Sequence, residues 1–564
     1  MVNLLSLTVI LPLLGAGGIL LLSNLLSKVE SKRDYLRVLV GLFPIVIVVL
    51  ASVIVLTGGA AGRISLSSLY PSLLAESAVE LRWNSNLWPL GLGLSVGSGC
   101  LLLAAGARWE RSDRLVPVVL GLLGAGLASL WSGNPLTTIV CWALYDLLLA
   151  LGWMAVGGDR REALRALIAG LCAGLLLWVG VVTTGGGIGS VAWALLPPGG
   201  PKMMLWLVAG LVRIGAYPLH VWVPREIESS SPANAVLLLS PLLGWGLWIR
   251  LASVGDGNLP VAAWMIAPAL LTLLGGSILA WTENRAEMSR RWIAMAGNGV
   301  VLLAAVLAHL RGTEVGAPAP ALPSGMTFGA LGWTLSTTLL FLAGGIDLRK
   351  GVDQGYLPWA VPSLLLVLSL LGVPLTAGFV GTSSAVAEAA GTGANVLLVG
   401  VFMAYVLLSA SVVRWLLGAD RIDAGEGGVF GRVAYGTGLG GMTVALILCG
   451  LLPVRLFSGR WFSTGLTLPA LLSGPSLGGW VMWVGAVLLG GAVGWLDPRF
   501  RPRLSLWLDA IHDVVQLEWA YALVGGAMEQ GLGLVRVVDA VLGGRAAMLW
   551  SLVFLLVIVL AVGR

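Results

Sequence analysis

The sequence predicts an all-α membrane protein with about 14–16 transmembrane helices. Three observations lead to this fold class: 58% of the 564 residues are hydrophobic, only 11% are charged, and the mean hydropathy is +0.94. A water-soluble protein could not cover its surface with so few charged side chains. The 79 glycines fit closely packed membrane helices, in which small residues let backbones approach. We therefore expect the lipid bilayer to surround the chain, and we expect no nucleic-acid partner.

Sixteen apolar stretches qualify as spans, taking about 20 residues as the length that crosses a membrane. They lie near residues 2–24, 36–58, 87–107, 114–132, 134–157, 162–183, 203–221, 233–253, 259–282, 290–309, 326–346, 358–380, 393–417, 431–457, 476–496 and 546–563. The first stretch lacks a basic segment and a cleavage site, so we predict a membrane helix there and not a removed signal.

The connections between these spans alternate in charge. Lys and Arg are concentrated in every second connection, whereas residues 59–86, 185–201 and 312–325 are poor in them. By the positive-inside rule, the cationic connections are cytoplasmic. We therefore predict an integral protein of a prokaryotic cell membrane with its N-terminus outside.

The sequence gives no sign of a metal site or a cofactor site. The four cysteines lie within apolar runs without Cys-x-x-Cys or Cys/His spacing, so they indicate neither a disulfide framework nor a metal centre. Residues Gly185–Gly189 are rich in glycine, but they lack the strand, turn and helix that surround a phosphate-binding loop. We expect no bound cofactor and no metal, and we assign any catalytic chemistry to partner subunits.

The seventh span contains a break. Arg213 lies in an apolar run that then meets Gly215 and Pro218 and leads to His220. A helix broken by Gly and Pro frees backbone groups that lipid cannot satisfy, so the break must face protein or a water-filled cavity. An ionisable residue beside such a break indicates a candidate ion path.

A second break interrupts the twelfth span, where Gly372, Pro374 and Gly378 follow in close order. Two interrupted segments, one in each half of a chain, are typical of an inverted-repeat transporter. Spans 7 and 12 are five spans apart, so they run in opposite directions through the bilayer. We therefore predict two inverted repeats of five helices each, spans 4–8 and 9–13.

The predicted organisation has five parts. They are residues 1–110 with spans 1–3, residues 111–255 with the first repeat, residues 256–420 with the second repeat, residues 421–500 with spans 14 and 15, and residues 501–564 with a lateral segment and the last span. Residues 504–545 mix charged and apolar side chains, which predicts an amphipathic helix interrupted at Gly525-Gly526. It could lie along the membrane face or against a neighbouring subunit, or form two short helices that contact only this chain.

Several motifs resemble one family of membrane proteins. Pro218-Leu-His-Val-Trp-Val-Pro-Arg225 is similar to the family signature Pro-Leu-His-x-Trp-Leu-Pro, and Gly372-Val-Pro-Leu-Thr-Ala-Gly-Phe-Val-Gly381 is similar to the break in its helix 12. Further similarity lies in Arg290-Arg-Trp-Ile-Ala294 and Leu339-Leu-Phe-Leu-Ala-Gly-Gly345. The family comprises the antiporter-like membrane subunits of respiratory complex I, membrane-bound hydrogenases and multisubunit cation/proton antiporters.

The resemblance implies a row of buried charges that carries protons: a glutamate in helix 5, lysines in helices 7 and 11, a lysine or histidine in helix 8 and a lysine or glutamate in helix 12. This chain departs from that pattern at each place. The corresponding positions hold Ala143, with Asp146 three residues later on the same predicted helix face, then Arg213, Gly244 or Trp245, Thr337 and Thr382, with Glu388 nearly two turns later.

The replacements change the chemistry that is expected of the path. Arginine stays protonated even when buried, so an Asp146–Arg213 pair would be fixed and Arg213 could not itself hand on a proton. His220 is a better titratable candidate, because an unperturbed imidazole has a pKa near 6.5. Each residue also has a structural interpretation: His220 could bond freed carbonyls, the pair could be purely structural, and Glu388 could lie solvated at a helix end.

Three functions remain open from the sequence. The first is a subunit that conducts protons or another monovalent cation, through Asp146, Arg213, His220 and Glu388, inside a multisubunit complex whose other membrane subunits are its partners. The second is a structural or coupling subunit that has lost conduction. The third is a stand-alone transporter, for which a lateral helix would have little use. In the first two, the chain is a non-catalytic part of an NADH:quinone oxidoreductase-like or hydrogenase-like complex.

Overall fold

A computed structural model describes most of the chain. The described residues are 4–26, 33–56, 63–66, 79–84, 86–106, 112–155, 159–183, 193, 201–220, 222–223, 239–253, 263–286, 288–315, 322–343, 357–418, 428–451, 475–527 and 529–530. The chain forms two compact units, Met1–Arg503 and Leu504–Arg564. The last predicted span, 546–563, lies outside the described residues, as does most of the segment between residues 221 and 239 that follows the first break.

Sixteen α-helices form the described fold. They are α1 Leu4–Leu26, α2 Arg33–Leu56, α3 Trp88–Gly106, α4 Ser112–Leu130, α5 Pro135–Ala155, α6 Arg160–Val182, α7 Pro201–Ile214, α8 Pro241–Ser253, α9 Ile266–Thr282, α10 Ser289–Val315, α11 Leu322–Leu342, α12 Leu357–Leu370, α13 Ala377–Gly391, α14 Asn395–Gly418, α15 Gly428–Leu451 and α16 Leu477–Gln516.

The all-α membrane fold class is confirmed. Nine helical stretches of the described residues are long and apolar enough to cross a bilayer, and five shorter helical stretches are similarly apolar. The short stretches include most of α7 and of α12, as expected for spans that Gly and Pro interrupt. Predicted span 12 is thus two helices, α12 and α13, and the second of them continues to Gly391.

One connection contains a small sheet. Strand β1, Arg63–Leu66, pairs antiparallel with β2, Val79–Arg82. The sheet contacts the end of α4, where the amide of Arg82 donates to the carbonyl of Trp131 at 2.6 Å and the amide of Gly133 donates to the carbonyl of Glu80 at 2.7 Å. Two strands cannot form a stable unit alone, so this sheet depends on the helix end that it covers.

The two predicted repeats have matching helix neighbours. In the first, α4 contacts α5, α5 contacts α6, α6 contacts α7, and α4 also contacts α8. In the second, α9 contacts α10, α10 contacts α11, α11 contacts both α12 and α13, and α9 also contacts α14. Helix α11 lies at the centre, because it contacts α3, α8 and α15 as well. Each repeat is therefore closed by a contact between its first and last helix.

The C-terminal part differs from the prediction. Helix α16 does not stop near residue 496 but continues to Gln516 through Pro498 and Pro502. The interruption falls at Leu517, whose φ is +60°, and residues 518–527 are helical again. An interruption at Gly525-Gly526 is therefore wrong, because both glycines lie inside this second helical stretch.

Candidate functional site

The first break is a helix end closed by a left-handed glycine. Gly215 has φ +78°, a conformation that glycine adopts without a steric penalty. Its amide donates to the carbonyl of Val212 at 3.2 Å, and the amide of Ala216 donates to the carbonyl of Leu211 at 3.0 Å. These two bonds form a Schellman cap. The cap explains why α7 ends within the apolar sequence.

Side chains also donate to carbonyls at this helix end. The indole N–H of Trp222 donates to the carbonyl of Val212 at 2.9 Å. The amide nitrogen Nδ2 of Asn298, on α10, donates to the carbonyl of Ile214 at 2.9 Å. The break therefore faces protein from both repeats, as a membrane-buried break must.

The second break has the same stereochemistry. Gly372 has φ +73°, its amide donates to the carbonyl of Ser369 at 3.0 Å, and the amide of Val373 donates to the carbonyl of Leu368 at 2.9 Å. The residue positions and bonds match those at Gly215. Leu375, three residues after the glycine, also has a positive φ of +71°, which is rare and strained for a bulky side chain.

Hydroxyl and indole groups close the second break. The Oγ of Ser369 accepts from the amide of Gly378 at 3.1 Å and lies 2.9 Å from the Oγ of Ser336 on α11. The indole N–H of Trp483 donates to the carbonyl of Leu371 at 3.2 Å. The second repeat thus connects the two halves of its broken span with uncharged groups.

The first repeat holds a buried ion pair. Arg213 of α7 binds the Oδ1 of Asp146 on α5, and the two side chains are 3% and 2% exposed, so both charges are removed from solvent. The guanidinium also lies over two aromatic rings of α5, 4.9 Å from the Trp142 ring centroid and 5.3 Å from that of Tyr145. The pair therefore links α5 to the helix that carries the first break.

Several polar atoms around the pair have no protein partner. Within the described part of the chain, nothing hydrogen-bonds the Oδ2 of Asp146, the Nε and Nη2 of Arg213 or the hydroxyl of Tyr145. Gly170 of α6 makes room for the carboxylate, because a Cβ at this position would overlap it. Buried polar atoms of this kind require water or a change of partner.

The structure corrects the prediction that Ala143 and Asp146 share one helix face. Ala143 is exposed on the surface of the chain, whereas Asp146 is buried. The two positions are three residues apart, which leaves them about 60° apart around the helix. That angle carries Ala143 out of the interior, so only Asp146 can reach α7.

The other positions that the resemblance indicates hold uncharged residues: Gly244 or the buried Trp245, Thr337 and Thr382. A Cβ at Gly244 would lie 3.0 Å from both the Cβ of Arg213 and the carbonyl oxygen of Gly210, so α7 and α8 approach too closely for a lysine there. Thr337 and Thr382 are buried, at 5% and 2% exposed. The second repeat therefore has hydroxyls where the resemblance implies charges.

The remaining candidates are His220 and Glu388. His220 is buried, at 4% exposed. Its ring stacks on Tyr217 with 5.3 Å between centroids and meets the edge of Trp292 at 5.6 Å. It thus connects the first break to the start of α10. Glu388 is half-buried on α13, within the second repeat.

Two buried arginines escaped the sequence analysis. Arg250 of α8 donates from Nη2 to the carbonyl of Ser129 at 2.9 Å and also to that of Leu130, at the end of α4. Arg414 of α14 donates to the carbonyl of Trp281 at 2.7 Å and to that of Glu283, at the end of α9. A lone arginine near the end of an apolar helix is the signal that could have indicated both.

The second of these helix ends is held by a larger network. Arg501 of α16 also binds the carbonyl of Trp281 and donates to that of Glu283 at 3.2 Å. The Oδ2 of Asp497 lies 2.7 Å from the Nε of Arg501 and 3.8 Å from that of Arg414. The Glu283 side chain pairs with Arg291 at 3.3 Å. The Glu283 side chain, which is 13% exposed, therefore belongs to this network.

Comparison with known sequences gives homologues of one kind. No protein-family model matches the chain. A protein from Solidesulfovibrio magneticus named NADH-quinone oxidoreductase subunit N 1 is 28% identical over 420 residues, which are 70% of this chain and 84% of the relative. A protein of the same name from Sorangium cellulosum is 27% identical over 359 residues, 56% of this chain and 68% of the relative.

Solved structures share the fold at lower identity. A chain of the Mrp complex from a Dietzia species superposes with a TM-score of 0.74 at 17% identity over 99% of this chain, which spans only 63% of that chain. A chain of the archaeal membrane-bound sulfane sulfur reductase gives 0.67 at 16% identity, covering 99% and 100% of the two chains. A chain of respiratory complex I from Thermus thermophilus gives 0.56 at 20% identity, covering 82% and 99%.

Proposed function

We propose that this chain, a homologue of subunit N of NADH-quinone oxidoreductase with the antiporter-like membrane fold, translocates protons or another monovalent cation within a multisubunit complex. Redox chemistry in partner subunits would drive the movement. The observation that carries the proposal is the buried Asp146–Arg213 pair with its unpartnered polar atoms. Ionisable residues inside a membrane are costly, and they commonly belong to ion paths.

In the proposed mechanism, Asp146 is the group whose charge changes. Arg213 keeps its proton at any physiological pH, so it supplies a fixed positive charge. When the Asp146 carboxylate accepts a proton, the guanidinium keeps the faces of Trp142 and Tyr145, since aromatic faces attract cations. The carboxyl can then take up and release a proton without leaving Arg213 unsupported.

His220 is the second proton carrier of the proposal. It lies buried just after the first break, between Tyr217 and Trp292. An imidazole can bind and release a proton. Through its contact with α10, a change in the charge of His220 would affect the second repeat. In that repeat, Glu388 is the remaining ionisable candidate.

The relatives and the charges of the loops suggest the membrane and the partners of this chain. Two bacterial homologues are named as subunit N of NADH-quinone oxidoreductase. The charge pattern of the loops supports our proposal of a prokaryotic cell membrane with the N-terminus outside. We propose other membrane subunits as the partners. A structural or coupling subunit without conduction is the second candidate, favoured by the hydroxyls at Thr337 and Thr382. Nothing observed favours a stand-alone transporter.

The test replaces Asp146 in membrane vesicles that carry the complete complex. We expect Asp146→Asn to abolish proton pumping per electron transferred, measured by quenching of a pH-sensitive dye and normalised to assembled complex on native gels. Asp146→Glu keeps a carboxylate and should retain part of the pumping. Asp513→Asn, which removes an exposed carboxylate from the second unit, is the control. Unchanged pumping in Asp146→Asn would leave the structural role as the better account.

A further inference from the structure

A cavity opens between α5 and α6 at the membrane face where α5 ends and α6 begins. Its empty volume is about 230 Å³ including the space at its mouth, and its lining includes Ala150, Trp153, Glu162, Ala166 and Trp222. The lining is mostly apolar, and the enclosed part is only large enough for water. The cavity is separate from the ion pair, since neither Asp146 nor Arg213 lines it.

Glu162 gives the cavity a buried carboxylate. The residue is 9% exposed, and its Oε1 pairs with Arg165 at 2.8 Å. Among the described residues, no group hydrogen-bonds its Oε2, and none hydrogen-bonds the indole nitrogen of Trp153 in the same lining. An acceptor and a donor without protein partners beside a water-sized space are the groups that hold buried water. Sequence analysis had not singled out Glu162.

The cavity points toward Asp146 along matching faces of two helices. On α5, Asp146, Ala150 and Trp153 follow at spacings of four and three residues. On α6, Glu162, Ala166 and Gly170 follow at spacings of four, and Gly170 is the residue that borders the Asp146 carboxylate. The two helices pack against each other. The cavity lining therefore ends one turn, about 6 Å along either axis, before the carboxylate.

We propose that this cavity is a water-filled access route, with Glu162 at its mouth, through which protons exchange between that membrane face and Asp146. The proposal rests on the proposed function, because it needs Asp146 to be the group that changes charge. Glu162 collects the proton from solvent, water between Ala150 and Ala166 carries it inward, and the free Oδ2 of Asp146 receives it. Trp222, which lines the cavity and bonds α7 at Val212, ties this route to the first break.

The first experiment tests whether water enters the cavity. In the complete complex, Ala166→Cys places a thiol in the cavity, whereas Ile168→Cys places one about 3 Å further along α6 on a side chain that is 59% exposed on the apolar outer face. Ag⁺ is a single-atom cation small enough for a water-sized space; it binds thiols that water reaches and not those in lipid, and it blocks their later alkylation. We expect Ag⁺ to block the thiol of Ala166→Cys at least tenfold faster than that of Ile168→Cys, as measured by mass spectrometry of the α6 peptide after alkylation. Equal or slower blocking would overturn the route.

The second experiment tests whether Glu162 passes protons into the access route. We expect Glu162→Gln to slow proton pumping at least fivefold at equal amounts of assembled complex, and Glu162→Asp to recover most of the rate. Arg161→Gln, which changes an exposed neighbour, is the matched control and should pump normally. Normal pumping in Glu162→Gln overturns the route while leaving the proposed function intact. Normal pumping in Asp146→Asn overturns the proposed function and the route with it.

Discussion

At the scale of single residues, Arg213 has more neighbours that stabilise its charge than Asp146 has. Arg213 has two aromatic rings beside it in addition to the carboxylate. Asp146 has only Arg213 as a hydrogen-bond partner among the described residues. Removing one member of a buried pair leaves an uncompensated charge, so the outcome depends on what remains around it.

We therefore predict that Arg213→Gln destabilises the subunit more than Asp146→Asn does. The first should cost about 3–5 kcal/mol and the second at most about 2 kcal/mol, because cation–π contacts keep the arginine favourable. The double variant should cost less than the sum. Thermal unfolding of the purified complex measures all three, with the exposed Arg432→Gln as control. Strictly additive losses would show that the two side chains do not interact.

The pair could be predicted from the sequence, whereas the partners of Arg250 and Arg414 could not. Asp146 and Arg213 are isolated charges in apolar spans, and the resemblance directs attention to their helices. The two other arginines bind backbone carbonyls. Every residue has a carbonyl, so the sequence contains no partner residue type to search for. The position of each acceptor depends on how the helices pack.

At the scale of helices, the two breaks are the most regular feature. Gly215 and Gly372 close α7 and α12 with the same pair of hydrogen bonds, and proline follows each within three residues. Glycine and proline at these places predicted both breaks. The positive φ of Leu375 could not be predicted, because leucine has no preference for that conformation.

We predict that Gly372→Ala is more damaging than Gly215→Ala. Each change costs about 1–2 kcal/mol for a Cβ at positive φ. At Gly372 the Cβ would also overlap the Thr382 side chain, whereas at Gly215 it would lie 3.0 Å from Trp222. Gly440→Ala, at a helical site with nothing within 4 Å, should be neutral or stabilising. Melting midpoints of the purified complex give the order, and equal effects at both breaks would contradict it.

The length of α16 was missed for a definable reason. Pro498, Pro502 and the charges around them suggested the end of a span, since proline removes a helical donor. The Asp497–Arg501 contact at 2.7 Å spans the interrupted turn at i,i+4 spacing, and Arg501 is held by the end of α9. Contacts that are distant in sequence thus maintain the helix through two prolines.

At the scale of the whole fold, the arginine contacts follow the repeat. Arg250 joins the fifth helix of the first repeat to the end of its first helix, and Arg414 does the same in the second. Positive charge at a helix C-terminus is favourable for the exposed carbonyls. The repeats differ in one respect, because Arg501 reinforces the second contact and the first has no described equivalent.

This difference predicts unequal effects of the two arginines. Arg250→Gln should cost about 2–3 kcal/mol, as expected for lost bonds from a charged donor, and should raise amide hydrogen exchange around residues 127–133 at least tenfold. Arg414→Gln should change exchange at the end of α9 much less, because Arg501 remains. The double variant Arg414→Gln/Arg501→Gln should match Arg250→Gln. Greater exchange in Arg414→Gln than in Arg250→Gln would refute the assigned roles.

Each arginine is synthesised long after the carbonyls that it binds. Arg250 follows its acceptor Leu130 by 120 residues, and Arg414 follows Trp281 by 133 residues. At about 5–20 residues per second on the ribosome, the end of each leading helix waits roughly 6–25 seconds for its arginine. A nascent chain halted inside a repeat therefore lacks the arginine that binds these carbonyls, whereas a chain that extends past the arginine can form the contact.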